Sequence, residues 1–179
     1  LVSIAIDPQV LRKLENEKVG YCLIGAAALA ANGFARYTAD VDLLTVDKKV
    51  LVAAYWDGLR RRPEVRRGDA DDPLLGDARW SGETQLDLIV GKGHAAHLAV
   101  DTAVGLPGNP CRVATPLALT LLKLEAGSPQ DRADVLSLVS VQRELNGAPW
   151  LAEVTQHLKK LSRDARAAWK ALQADLASL

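Results

Sequence analysis

The sequence predicts a mixed α/β fold of the α+β kind, with a sheet and helices in the first two thirds and a helical region to the end. Short apolar runs bounded by glycine alternate with helical patterns up to about residue 115. From Pro116 onward the apolar spacing is helical throughout. A length of 179 residues with 49% hydrophobic and 25% charged side chains suits one compact domain with a real core. We therefore expect a single domain over 1–179, with a sheet-containing core at 1–115 and a helical C-terminal region at 116–179.

Residues 8–17 read as a short helix with Val10, Leu11 and Leu14 on one face, and Gly20 introduces the buried strand Tyr21-Cys22-Leu23-Ile24. Gly25 ends that strand, residues 26–31 are rich in alanine, and Asn32-Gly33 stops the helix they form. Residues 41–46 are the next strand. Residues 48–62 show an amphipathic helical pattern carrying Leu51, Val52, Tyr55, Trp56 and Leu59, stopped by Pro63. A polar stretch at 64–77 is expected to hold a hairpin or loop. Arg79-Trp80 and residues 84–90 are strand candidates separated by Ser81-Gly82, and Arg112-Val113 leads to the helix entry Thr115-Pro116. A helix at 117–126 breaks at Gly127, Ser128-Pro129 opens another through about residue 145, and helical segments run from Trp150 to the end.

The 22 basic and 22 acidic side chains cancel, so no overall field holds the chain on nucleic acid or an anionic membrane. Cys22 and Cys111 lack metal-ligand spacing and sit in apolar runs, as free thiols do in a reducing cytoplasm. No apolar run approaches the roughly 18 residues of a membrane span, and no basic stretch precedes an apolar one at the start. A cytoplasmic protein without a membrane partner is expected.

Asp40 and Asp42 flank one residue at the mouth of an apolar strand, and the period of two places both carboxylates on one face, about 6 to 7 Å apart. Paired carboxylates repel unless a cation joins them, and hard oxygen ligands suit Mg²⁺ or Mn²⁺. Alternatively, one acid caps a loop and the other is solvated. Gly25 closes a strand and opens a helix, so the N–H groups of residues 26–28 make a positive terminus suited to phosphate oxygens. Asp87, in Gln85-Leu86-Asp87-Leu88-Ile89, is an isolated carboxylate on an apolar strand, which is costly unless it is paired or bound to metal. Metal binding or base catalysis explains it, and so does a salt bridge to an arginine.

The stretch from Ile24 to Asp42, with Gly25-Ala26, Asn32-Gly33, Arg36-Tyr37-Thr38 and Asp40-Val41-Asp42, resembles the signature of the polymerase-beta-type nucleotidyltransferase superfamily. More narrowly, it looks like the small bacterial branch that includes toxins of type IV toxin-antitoxin systems. The family pattern has a small pair, a short helix, a glycine, Arg-X-Thr, two acids, and a third acid on a neighbouring strand, which Asp87 matches. The resemblance implies a nucleotidyltransferase-type mixed β-sheet flanked by helices. It also implies transfer of a nucleoside monophosphate from a nucleoside triphosphate to a hydroxyl on RNA, protein or a small molecule, with an antitoxin as partner. In this pattern Asp40 and Asp42 coordinate metal at the triphosphate, Asp87 shares a metal and helps deprotonate the acceptor, and Gly25, Ala26, Arg36 and Thr38 line the nucleotide, though an ion pair with one of the acids explains Arg36 equally well. Two ions about 3.5 to 4 Å apart stabilise the entering and leaving oxygens in such sites.

One position departs from the pattern: Ala26 stands where members with serine offer phosphate a hydroxyl. It motivates the alternative of a catalytically inactive nucleotide-binding or regulatory partner protein. A second block, residues 121–135, looks like the lysine helix and acidic helix start found downstream in the same branch. Lys123 then reaches a phosphate as a point charge, or else snorkels from an apolar helix. Asp131 also fits N3 of the helix opened by Ser128-Pro129, and Asp134 shares its face and could orient Lys123 or Arg36.

Other signals read as structure. Gly91-Lys92-Gly93 is a turn, and His94 and His97 are solvated helix residues. Arg60, Arg61, Arg62, Arg66 and Arg67 read as solvated, the first three favoured by a helix C-terminus, with Asp69, Asp71 and Asp72 following. Trp150, Leu151, Val154, Leu158 and Leu161 form one packing stripe, and Trp169, Leu172 and Leu176 another.

Overall fold

The computed structural model describes residues 6–34, 38, 40–69 and 74–177, the last three by their backbone. The chain divides at Thr115/Pro116 into two compact units, which are taken in turn.

In the first unit, α1 (Pro8–Asn16) starts where the Asp7 carboxylate accepts from the Gln9 N–H, and it buries Val10, Leu11 and Leu14. The chain continues through β1 (Tyr21–Ile24), α2 (Gly25–Ala31), β2 (Val41–Thr45), β3 (Glu64–Arg67), β4 (Leu74–Trp80), β5 (Leu86–Gly91) and α3 (Gly93–Thr102). The five strands form one mixed sheet in the order β1-β2-β5-β4-β3. Only β2 and β5 run parallel; the other neighbours are antiparallel. Their register puts Val41, Leu43, Leu86, Leu88, Val90, Ala78 and Trp80 on one face, all buried. The opposite face carries Leu44 near α3, and there Gly91 lets Ala96 approach: a Cβ at Gly91 would lie 3.0 Å from Leu44. Val113 joins only through isolated bridges to Leu23 and Val104, so Arg112-Val113 is not a full strand.

The polar stretch at 64–77 holds the antiparallel pairing of β3 against β4, while the pairing of β4 with β5 shifts register between Leu74 and Gly76. The amphipathic helix expected over 48–62 does not form. Two 3₁₀ turns, Lys48–Leu51 and Ala53–Trp56, take its place, with Val52 extended between them and 48% exposed. The Trp56 indole N–H donates to the Val50 carbonyl at 2.8 Å, an acceptor that a continuous α-helix would give to Ala54. Val50, Leu51 and Trp56 therefore reach the core from two separate turns, and Trp56 meets Trp80 of the sheet edge-on at 4.8 Å.

Cys22 and Cys111 are free and buried, and burial pushes their thiols up to about 12 and about 11. Such groups stay protonated and act as small hydrophobes.

The second unit contains α4 (Pro116–Ala126), α5 (Pro129–Leu158) and α6 (Arg163–Ala177). Ser128 caps α5 in a reciprocal capping box with Asp131. Gly147, at φ 61° and ψ −149°, interrupts α5 just before Pro149, so the segments expected to end near 145 and to open at Trp150 meet at a kink. Leu121, Leu124, Val135, Leu138, Val139, Val154 and Trp169 form the core of this unit. The side chain of Leu176 lies outside the described ones. Among the described residues no helix is long and apolar enough to cross a membrane.

Trp56 is fully buried, so Trp56→Ala should lower the stability of the sheet unit by about 3 to 5 kcal/mol. Urea denaturation followed by the fluorescence of the remaining tryptophans measures it, and a loss below about 1 kcal/mol would contradict this packing.

Candidate active site

The corner between β1 and α2 turns at Gly25, whose φ of +64° few residues other than glycine adopt without strain. A Cβ at this position would overlap Oδ2 of Asp42, so the absent side chain is what lets the corner meet that carboxylate. Ala26 follows as the second residue of α2.

The sheet register extends the site sideways. Ile24 of β1 lies opposite Asp42 of β2, Asp42 beside Asp87 of β5, Asp87 opposite Arg79 of β4, and Arg79 opposite Glu64 of β3. One cross-strand row thus spans all five strands, with two acids, a base and a third acid on one face. The backbones of Asp42 and Asp87 are about 4.8 Å apart, as adjacent strands are.

Asp87 is only 7% exposed. Arg79 holds it with both arms of a fork, Nε to Oδ1 at 2.7 Å and a terminal nitrogen to Oδ2 at 2.9 Å. The Gln85 side-chain amide donates a further bond to Oδ2 at 3.1 Å. The arginine salt bridge weighed from the sequence is therefore present. The hydrogen-bonded Asp87 raises the pKa of Arg79 above its ordinary value against the opposing effect of burial, and Asp77 and Glu64 add to the pull. Arg66 pairs with Asp77 on the same face, at 3.1 and 3.2 Å.

Asp40 is exposed, one residue before β2. The Thr38 hydroxyl accepts from the Asp40 N–H at 3.1 Å and donates to its carbonyl at 3.0 Å, which shapes the backbone there. Gly25, Asp42 and Asp87 thus come together, with Asp40 and Thr38 at the entry to β2. Arg36, Asp71 and Asp72 lie outside the described residues.

Lys123, Asp131 and Asp134 form a node of their own within the helical unit. The Lys123 ammonium lies 3.0 Å from Asp131 and 2.6 Å from Asp134. Burial opposes ionisation of Asp131, but hydrogen bonds from Ser128 and Lys123 outweigh it and hold its pKa below the ordinary value.

Sequence reasoning missed Arg79 and Gln85 as partners of Asp87. Arg79-Trp80 was recognisable as strand, but its register against residues 84–90 is not written in local periodicity. Arg60, Arg61, Arg62, Arg66 and Arg67 are exposed, as their solvated reading expects, but the α-helix whose C-terminus was to favour the first three is not there; Arg62 pairs with Asp57 at 3.0 Å, Arg66 with Asp77, and Arg61 donates to the Ser81 carbonyl.

Among the described residues, no group of three or more His, Cys, Asp or Glu is arranged as a metal cage. The Asp42–Asp87 pair nevertheless suits Mg²⁺ or Mn²⁺, which take one or two carboxylates and complete their shell with phosphate oxygens and water. The donors are hard oxygens on one face, beside a glycine corner that a side chain would fill.

Gly25→Ala should destabilise the sheet unit by about 1 to 3 kcal/mol, because it combines a strained backbone with an overlap at Asp42. A thermal melt unchanged from the parent would exclude the close approach. In the helical unit, the depressed pKa of Asp131 contributes stability that is fully present above the unfolded value of about 3.9 and is lost as pH falls through the folded one. Below about pH 4 the parent should therefore lose stability more steeply than Asp131→Asn, as calorimetry at pH 5 and pH 3 can compare.

Neither a family model nor a curated protein matches this chain. Solved structures do. A crystal structure of ANT(2'')-Ia in complex with adenylyl-2''-tobramycin is 14% identical, covers 83% of this chain and 94% of its own, and superposes with a TM-score of 0.53. A solution structure of the antibiotic-resistance factor ANT(2'')-Ia is 18% identical over 95% and 92% of the two chains, with a TM-score of 0.49. An antigenic nucleotidyltransferase-like protein from Paracoccidioides brasiliensis is 18% identical over 91% and 89%, with a TM-score of 0.44. At such identities the likeness is one of fold, and the first of the three carries it: the chain shares the mixed α/β fold of that structure.

Proposed function

We propose that this protein is a metal-dependent nucleotidyltransferase, moving a nucleoside monophosphate from a nucleoside triphosphate to a hydroxyl acceptor. The observation that carries the reading is the in-register pair Asp42 and Asp87 beside the Gly25 corner. The fold likeness to ANT(2'')-Ia supports it.

In this reading Asp40, Asp42 and Asp87 hold Mg²⁺ or Mn²⁺, which when bound supplies positive charge at the triphosphate. The Gly25 corner and the N–H groups that follow it, Ala26 included, receive phosphate oxygens, and Thr38 and Arg36 contact the nucleotide; Lys123, in the helical unit, is a separate candidate for a phosphate contact. The acceptor oxygen attacks the α-phosphorus in line, the bond from that phosphorus to the bridging oxygen breaks, and pyrophosphate leaves. Asp87 receives the proton of the hydroxyl. The acceptor is carried by RNA, a protein or a small molecule. If the protein is a toxin, its expression arrests growth and a co-encoded antitoxin relieves the arrest.

A second reading keeps nucleotide binding without turnover, as a regulatory partner protein. The Arg79 fork favours it, because both oxygens of Asp87 are already engaged. Pyrophosphate release distinguishes the two: metal-dependent nucleotide binding with none supports the second.

Incubation of the protein with each labelled triphosphate, Mg²⁺ or Mn²⁺, and RNA, a cell extract or an amino sugar such as tobramycin should label one acceptor class. Asp42→Ala should reduce that labelling at least about a hundredfold. Equal labelling by the variant overturns the assignment.

A further inference from the structure

A nearly buried carboxylate needs a positive partner, and Asp87 has one. The Arg79 fork and the Gln85 amide together engage both of its oxygens in three bonds of 2.7 to 3.1 Å. An ionised carboxylate offers about four acceptor sites, so most of its capacity is spent. A divalent cation at Asp42 and Asp87 would also stand close to the Arg79 guanidinium, a group that is always charged in proteins, and like charges so near each other repel in a partly dry site. The fork and the cation therefore compete for the same oxygens.

Arg79 has somewhere else to go. Glu64 lies directly across from it on the edge strand β3, exposed and on the same face. Asp77, two residues before Arg79 on that face, is already held by Arg66. A rotation of the Arg79 side chain away from Asp87 and toward Glu64 exchanges one ion pair for another without moving the sheet.

Resting on the nucleotidyltransferase reading of this site, we infer that Arg79 is the exchangeable counter-ion of Asp87. It holds the carboxylate in the metal-free protein and yields it, moving to Glu64, when a cation binds. Arg79 is thus a positioning residue that acts through Asp87. Its consequence for function is coupling. The cation alone binds weakly because it must displace a full charge, whereas a cation arriving with a triphosphate brings the negative charge that offsets Arg79. By reciprocity, nucleotide tightens metal as much as metal tightens nucleotide.

The test is Mn²⁺ binding to the full chain without nucleotide, followed by the loss of the free-ion electron paramagnetic resonance signal. Arg79→Gln should bind Mn²⁺ about tenfold tighter than the parent, the scale expected when one neighbouring charge is removed from a carboxylate site. Adding Asp87→Asn to that variant should remove the gain. A role confined to holding the sheet together predicts the opposite sign, weaker binding from a looser site. Unchanged or weaker binding by Arg79→Gln, with Asp42→Asn still impairing it, overturns the counter-ion role alone. Unchanged binding by Asp42→Asn removes the metal site, and the nucleotidyltransferase reading falls together with the inference. Circular dichroism reports folding. Should Arg79→Gln not fold, Arg79→Met decides: it removes the charge and keeps an unbranched stem on the strand, so binding several-fold tighter is expected and unchanged binding overturns the proposal.

Discussion

The sheet unit is organised around the charge on Asp87. A carboxylate this deeply buried is tolerated only where its lone pairs are met, and three bonds from Arg79 and Gln85 meet them. Strand order does the rest. Because β5 lies between β2 and β4, one neighbour brings Asp42 in register and the other brings Arg79. A one-residue slip on either side would turn these groups to the opposite face, among Leu43, Leu88 and Ala78. The apolar packing of that second face, anchored by Trp56 on Trp80, therefore also fixes the ionic row on the first.

The corner at Gly25 is a second constraint, set by size instead of charge. Its positive φ and its contact with the Asp42 carboxylate are both satisfied by the absence of a Cβ. The sequence resemblance had marked the following position, Ala26, as the departure from the pattern. In the structure it is the preceding glycine that meets Asp42, so the missing serine hydroxyl leaves this contact intact.

Much of the fold was legible because each element obeys a local rule. The strands β1, β2 and β5 are short apolar runs, α1 buries the residues its spacing named, and Ser128-Pro129 opens α5 with the capping box it encodes. The segment at 48–62 was misread because its apolar spacing fits a helix while its burial is decided by contacts with the sheet. Trp56 is drawn against Trp80, and its indole takes the Val50 carbonyl from the helical ladder. For the candidate site, periodicity and resemblance together marked Gly25, Asp42 and Asp87. Arg79 was missed for a simpler reason: the two strand candidates on either side of Ser81-Gly82 are visible in the sequence, but which residue of one faces Asp87 of the other depends on the register that the turn sets, which periodicity alone does not give.

The helical unit raises the same question of charge at Lys123. Its ammonium sits between two carboxylates, and the partner at 2.6 Å, Asp134, is only 7% exposed. One positive charge therefore serves two negative ones. A phosphate that recruited Lys123 would have to draw its ammonium away from both Asp131 and Asp134. Either the phosphate brings a cation with it, or Lys123 stays where it is and holds the start of α5 against the end of α4. In both nodes a nearly buried acid is held by a basic side chain of its own unit, Asp87 by Arg79 and Asp134 by Lys123, and burying either charge without a partner would be costly.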